Sequence, residues 1–305
     1  MLLWRASREG RRSRLDLPCD SISTNRSGDA LTRRIGFVNE KGGSCKTTLT
    51  VHVGAYLAEQ RGMRVLLVDL DPQGHLGKTL GYDVGAYRRT TLELLMDEAR
   101  DPVLFVRRTR FDRLDVVFSN KSIAVFPTVV ASDPRRDFKL ARAIDRLEGY
   151  DFILFDSPAS FGTIMINVLV AAREIIVPVN ASYLALDGCA ELMRTIEGLA
   201  RSHRITPPEI RLIVPTLYRP TRMADAVIER LEAHFPKKVH PEPLRYDVKV
   251  EEAQSHGQTI WEYAPRARAA EIFAHLGDRI LAMDVPALQS DRPAPLSHLK
   301  ERPAL

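Results

Sequence analysis

The chain is expected to fold as an α/β protein with a doubly wound, mostly parallel sheet and helices on both faces. Three observations carry this. From Ile35 onward, short and nearly continuous apolar runs alternate with helical patterns, as strands covered on both faces require. Residues 35–48, IGFVNEKGGSCKTT, lead from one such run through a glycine-containing loop into a helix start. The 305 residues, 45% hydrophobic and 27% charged, have the composition of an ordinary globular protein with one large α/β domain or two small ones.

Strands are expected at 35–39, 64–69, 114–119, 151–156, 174–179 and 210–217. All but the third are almost purely apolar. Helices are expected at 46–60, 91–99, 135–148, 163–172, 184–203, 222–234 and 266–283, where apolar residues recur at helical spacing. Residues 1–34 are Arg- and Ser-rich without sustained periodicity, so a basic, disordered tail is expected there. The segment 285–305, with Pro286, Pro293, Pro295 and Pro303, should be irregular. No internal repeat is visible.

The loop after the first strand carries the chemistry. Backbone N–H groups of such a loop and of the following helix turn converge on one point, and the helix dipole adds positive charge there. At that point Lys46 would reach the β- and γ-phosphates of a nucleotide, and the Thr47 hydroxyl would sit on Mg²⁺. Ligands of doubly wound sheets bind at the carboxyl ends of the strands. Asp69 and Asp71 after the second strand and Asp156 after the fourth lie at such ends. Asp156 closes the run Phe152–Phe155 and is the natural acid to hold Mg²⁺ through water. The plainer reading of Asp71-Pro72-Gln73-Gly74 is a β-turn, and both readings can hold at once.

Lys41-Gly42-Gly43-Ser44-Cys45-Lys46-Thr47-Thr48 resembles the deviant Walker A motif, KGGxGKTT, of the ParA/MinD ATPases. VLLVDLDPQGH (65–75) resembles that family's switch segment, and YDFILFDSPASFG (150–162) its Walker B segment. The stretches at 177–192 and 248–271 are similar to the ParA/Soj branch, so the resemblance covers roughly residues 35–283. It implies a P-loop NTPase fold over 35–284, with Lys41 through Thr48 binding ATP. It further implies that Asp71 positions the attacking water and that Lys41 reaches across an ATP-sandwich homodimer to the partner's phosphates. Asp69 would be a supporting acid. One departure stands out: Cys45 occupies the place of the usual glycine. A Cβ there should strain a loop that needs positive φ, so the loop either tolerates it or binds nucleotide less well.

The resemblance also implies non-sequence-specific binding of double-stranded DNA by the dimer. Candidate contacts are Arg219, Arg222, Lys249, Arg266 and Arg268. Each singly reads as a solvated surface charge; collectively they could neutralise several phosphates. Lys249 matches a family arginine just before Glu252-Ala253-Gln254-Ser255-His256-Gly257. Trp261 and Tyr263 read as packing residues.

The implied role is a slow ATPase, stimulated by a ParB-like partner, in chromosome or plasmid partition. The protein would be cytoplasmic and nucleoid-associated. The alternatives are a ParA-like positioner of another cargo, a MinD-like membrane-associated regulator, and a nucleotide-free DNA-binding scaffold. Three prolines in residues 290–305 oppose the terminal amphipathic helix that MinD needs. No run of 18 apolar residues exists to span a membrane.

Three scattered cysteines, Cys19, Cys45 and Cys189, suggest neither a disulfide framework nor a thiolate metal site. They argue against the iron–sulfur relatives of this fold. The net charge of +5 is uneven: residues 1–34 hold eight Arg against four acids, a net of +4, which leaves +1 for the remainder. A polyanion would therefore have to meet a local patch rather than bulk charge. The tail itself reads as a solvated extension, a start placed early, or an auxiliary DNA contact.

Overall fold

The computed structural model describes residues 32–182 and 185–285; most of both expected tails lies outside these. Seven strands form one sheet: β1 (Arg33–Phe37), β2 (Val65–Asp69), β3 (Arg107–Arg108), β4 (Leu114–Val117), β5 (Phe152–Asp156), β6 (Glu174–Asn180) and β7 (Glu209–Thr216), in the order β3-β4-β2-β5-β1-β6-β7. Every pairing is parallel except β3 with β4. The helices are α1 (Lys46–Glu59), α2 (His75–Thr79), α3 (Thr91–Met96), α4 (Phe126–Val129), α5 (Lys139–Ile144), α6 (Thr163–Ala171), α7 (Ala185–His203), α8 (Arg222–His234), α9 (Val248–Ser255), α10 (Ile260–Tyr263) and α11 (Arg268–Ala282).

The apolar runs do what their sequence requires. Successive side chains of a strand point to opposite faces, and both faces here are covered. In β5, Phe152 and Leu154 join a core shared with α1 and α11, while Ile153 and Phe155 join a second core under α5, α6 and α7. β2 divides likewise, Val65 and Leu67 against Leu66 and Val68. Each fully buried Leu, Val or Phe stabilises by about 1.5–3 kcal/mol, so continuous runs are worth most in these central strands.

Register fixes the site. Phe37 of β1, Asp156 of β5 and Asp69 of β2 are aligned across three neighbouring strands. Two acids and the start of the phosphate loop thus emerge together at one edge.

Four features differ from the sequence expectation. β1 begins at Arg33, because its guanidinium is buried against Glu174 of β6 and the Ile280 carbonyl of α11. β3 is a two-residue antiparallel edge pair with no apolar pattern. The helix expected over 135–148 is a 3-10 turn followed by α5 only, and the chain reaches Gly149 at φ 82°. The short helices α2, α4, α9 and α10 lie outside every expected helix; α9 buries only Val250 and Ala253.

Candidate functional site

The loop between β1 and α1 is anchored by Asn39. Its side-chain amide donates to the Pro178 carbonyl of β6 over 2.6 Å, and its Oδ1 accepts the Lys41 N–H over 2.9 Å. Gly43 takes φ 70° in open space, a conformation that costs glycine little. Cys45 takes φ 67° and ψ 25°, so a residue with a Cβ keeps the left-handed shape. Cys45 is the N-cap of α1 and supplies no side-chain cap bond. The first-turn N–H groups are therefore available to an anion.

Burial raises the Cys45 thiol to about 11, against the opposing influence of the Thr216 hydroxyl and Lys46. The thiol is thus protonated at neutral pH and a poor nucleophile. Thr216, at the end of β7, also donates to the Ser44 carbonyl over 3.3 Å. The Ser44 hydroxyl is buried without a partner.

Lys46 is buried, and its Nζ donates back to the Lys41 carbonyl over 3.2 Å. Burial lowers its pKa, while Asp156 and Asp71 oppose that shift. Thr47 donates its hydroxyl to Asp156 Oδ2 over 2.7 Å. Asp156 is fully buried, and its Oδ1 has no partner. Burial raises its carboxyl to about 7, with Asp71 adding repulsion and Thr47 and Lys46 relieving it. Asp69 is raised well above the usual carboxylate range by burial and then by Asp156. Asp69 Oδ1 accepts the Asp71 N–H over 3.0 Å, and Oδ2 has no partner. Two buried acids with orphaned oxygens and a threonine hydroxyl form an oxygen donor set suited to a hard divalent cation. The residues present therefore fit Mg²⁺, with Thr47 and Asp156 as the groups that could hold it.

Asp71 Oδ1 accepts the Gln73 N–H over 2.8 Å, so the turn read from the sequence is formed. Lys41, Gly42 and Gly43 are exposed, and Lys41 Nζ lies 3.4 Å from Ser182 Oγ. The Thr48 hydroxyl turns away from the loop and accepts from Gln254 Nε2 of α9 over 2.9 Å.

The basic candidates fall into two groups. Arg219 lies beside the segment that leads into α9 and Lys249, because Tyr218 pairs with Arg245. The Arg219 guanidinium stacks over Tyr246 at 5.0 Å, and Lys249 pairs with Glu252 at 2.8 Å. Arg222, exposed, opens α8 next to this patch. Arg266 and Arg268 are exposed at the start of α11. Arg245, stacked over Tyr218 at 5.7 Å, was missed. The signal available was an Arg-Tyr pair at 245–246 facing Tyr218-Arg219. Trp261 packs on Tyr56 and Phe273, as expected of a packing residue. Among the described residues, no helix is long and apolar enough to cross a membrane.

Comparison with known proteins agrees with this geometry. Residues 32–207 match the family described as AAA domain. The chain is 34% identical over 250 residues to the sporulation initiation inhibitor protein Soj of Bacillus subtilis, covering 81% of this chain and 98% of that protein. It is 32% identical to the cell division protein PomZ of Myxococcus xanthus, covering 84% and 80%. It is 36% identical to the chromosome-partitioning ATPase Soj of Thermus thermophilus, covering 83% and 97%. A solved structure of cobyrinic acid a,c-diamide synthase from Mycobacterium smegmatis, with bound ATP analog and magnesium, is 29% identical. It superposes with a TM-score of 0.71, covering 82% of this chain and 94% of that one.

Proposed function

The chain belongs to the Soj/ParA family of ATPases, and from that premise we propose that it is an ATP-operated partition switch. It would dimerise around ATP, bind DNA without sequence preference and release it on hydrolysis. ATP and Mg²⁺ are its cofactors. One arrangement carries the reading: Lys46, Thr47, Asp156 and Asp71 gather at the carboxyl ends of β1, β5 and β2, around the open first turn of α1.

In this reading the loop N–H groups and Lys46 hold the β- and γ-phosphates. Thr47 and Asp156 orient the cation, and Asp71 fixes the water in line with the γ-phosphorus. Positioning and charge neutralisation are most of what phosphoryl transfer needs from a protein. Bound Mg²⁺ supplies charge neutralisation of the phosphate oxygens. Lys41 is exposed and, among the described residues, has no carboxylate partner. A solvated lysine contributes little, whereas in a desolvated dimer interface it would meet the partner's phosphates as a charge-assisted donor. Arg219, Arg222 and Lys249, with Arg245 beside them, would meet DNA phosphates, with Arg266 and Arg268 as a flanking pair. A ParB-like protein would accelerate hydrolysis and reset the switch.

The test is binding of unrelated DNA duplexes by the purified chain with no nucleotide, ADP or ATP–Mg²⁺, alongside Lys41→Ala and Lys46→Ala. Binding that needs ATP, ignores sequence and is lost in both variants supports the switch. Binding indifferent to nucleotide and to both substitutions overturns it. The second reading is a ParA-like positioner of another cargo, and the similarity to a cell division protein, PomZ, keeps a role outside partition in view. Stimulation of hydrolysis by a ParB-like protein favours partition over that reading.

A further inference from the structure

α9 and α10 are attached to both walls of the nucleotide site by polar and backbone contacts in addition to the apolar packing of Val250, Ile260 and Trp261. On one wall, Gln254 Nε2 donates to Thr48 Oγ1 over 2.9 Å, two residues after Lys46. His52, one turn further along α1, accepts the Ile260 N–H at Nε2 over 3.1 Å. Its Nδ1 lies 2.8 Å from the Thr48 carbonyl. Since Nε2 accepts, Nδ1 carries the proton, and the buried neutral ring ties α1 to α10.

On the other wall, the chain leaves Asp71 through Gly74 into α2, which ends at Thr79 two residues before Gly81. Gly81 and Gly257 meet backbone to backbone: a Cβ built on Gly257 would lie 2.4 Å from Gly81 Cα. Arg110 clamps this meeting point. Its guanidinium donates to the Leu80 carbonyl, to the Gly257 carbonyl over 2.8 Å, and to both Glu262 oxygens over 2.9 and 2.7 Å. The segment held from both sides carries Lys249 five residues before Gln254 on the same helix.

We infer that α9–α10 reads the nucleotide state, with Gln254 coupled to the first turn of α1 and Arg110 coupled to α2, and that these two act as positioning residues for the Lys249 face. The inference rests on the ATP-dependent DNA binding proposed above. A displacement of either wall by the γ-phosphate has a rigid, hydrogen-bonded route to the basic face. A purely apolar contact could slide without passing the displacement on. Neither Gln254 nor Arg110 touches the phosphate loop's anion position, so each can be altered with the loop itself intact.

The test uses the full chain and its variants Gln254→Leu, Arg110→Ala and Arg110→Lys. The quantity read is the ratio of DNA affinities with a slowly hydrolysed ATP analogue and Mg²⁺ and with no nucleotide, together with analogue affinity with and without DNA. Coupling is reciprocal, so both ratios should agree, at about 5- to 150-fold in the wild type. Gln254→Leu and Arg110→Ala are expected to bring both ratios toward one while affinity for the analogue without DNA stays unchanged. Arg110→Lys should fall between, because lysine keeps the charge but not the fork. A general loss of structure would instead weaken binding in both nucleotide states. Gln254→Leu, which removes one half-buried hydrogen bond, decides the matter should Arg110→Ala fail to fold. Ratios that stay at the wild-type value, or affinities that fall equally in both states, overturn the inference alone. A wild-type ratio of one overturns the partition reading and this inference with it.

Discussion

Thr47 donates to Asp156 over 2.7 Å, joining the first turn of α1 to the end of β5, and leaves the second Asp156 oxygen buried and unpartnered. The pair is built for a cation at a cost to the protein without one, since an uncompensated buried polar atom costs about 1–3 kcal/mol. Asp156→Asn should therefore separate stability from activity. Nucleotide-free unfolding in urea should move to higher denaturant, while Mg²⁺-dependent ATP hydrolysis should fall by about 100-fold or more. An unchanged hydrolysis rate would remove Asp156 from the site.

Cys45 and Thr216 set a second expectation. The thiol is raised to about 11 by burial, about two units above an ordinary cysteine. At pH 8 its alkylation, followed by peptide mass mapping, should be ~100-fold slower than that of a free cysteine. Cys45→Gly should also relieve the left-handed backbone at φ 67°, worth about 1 kcal/mol before the extra freedom of glycine in the unfolded chain is subtracted. The melting temperature should hold or rise. Fast labelling at pH 8, or a clear fall in melting temperature, would contradict this account of the loop.

The parts of the fold legible in the sequence were those governed by local pattern. β1, β2 and β5 were readable because continuous burial on two faces forces continuous apolar runs. The positive φ at residue 45 was readable because glycine is usual there. What could not be read depends on partners distant in sequence. β3 is two arginines paired to β4, with no pattern of its own. α9 is mostly polar and takes its place from Thr48, Gly81 and Arg110. The Tyr218–Arg245 and Tyr246–Arg219 stacks form only after β7 and the approach to α9 lie side by side. The acids Asp69, Asp71 and Asp156 were legible as strand ends. Their mutual perturbation was not, because it arises from register across β2 and β5.

Arg33 and Glu174 form a buried pair, 6% and 1% exposed, with an N···O separation of 2.5 Å. Arg33 also donates to the Ile280 carbonyl, which ties β1 to the end of α11. Removing one partner leaves the other charge buried, so Glu174→Ala should cost about 3–5 kcal/mol in urea unfolding. The double variant Arg33→Met with Glu174→Leu should recover much of that. A single-variant loss below about 1 kcal/mol would mean that water reaches Arg33 and Arg211, 3.7 Å from Glu174, once the carboxylate is gone.

His240 is 2% exposed, with neither ring nitrogen hydrogen-bonded. Burial pushes it down to about 4, with Arg279 and His275 acting in the same direction and Glu242 opposing them. The unfolded side chain titrates near 6.5, so between about 6.5 and 4 the unfolded state binds a proton that the folded state refuses. Stability from this group is complete above about 6.5 and falls as pH drops through that window, by about 1.4 kcal/mol per unit. His52, lowered to about 4 by burial, acts in the same sense. Asp69 and Asp156, both raised, act in the opposite sense. Comparison with His240→Leu isolates the one histidine, since the other three groups are common to both proteins. The variant should gain on the wild type by about 1.4 kcal/mol between pH 7.5 and 5.5 in urea unfolding. Parallel stability curves would show that His240 becomes protonated in place, through water that reaches it or a rearrangement of Glu242.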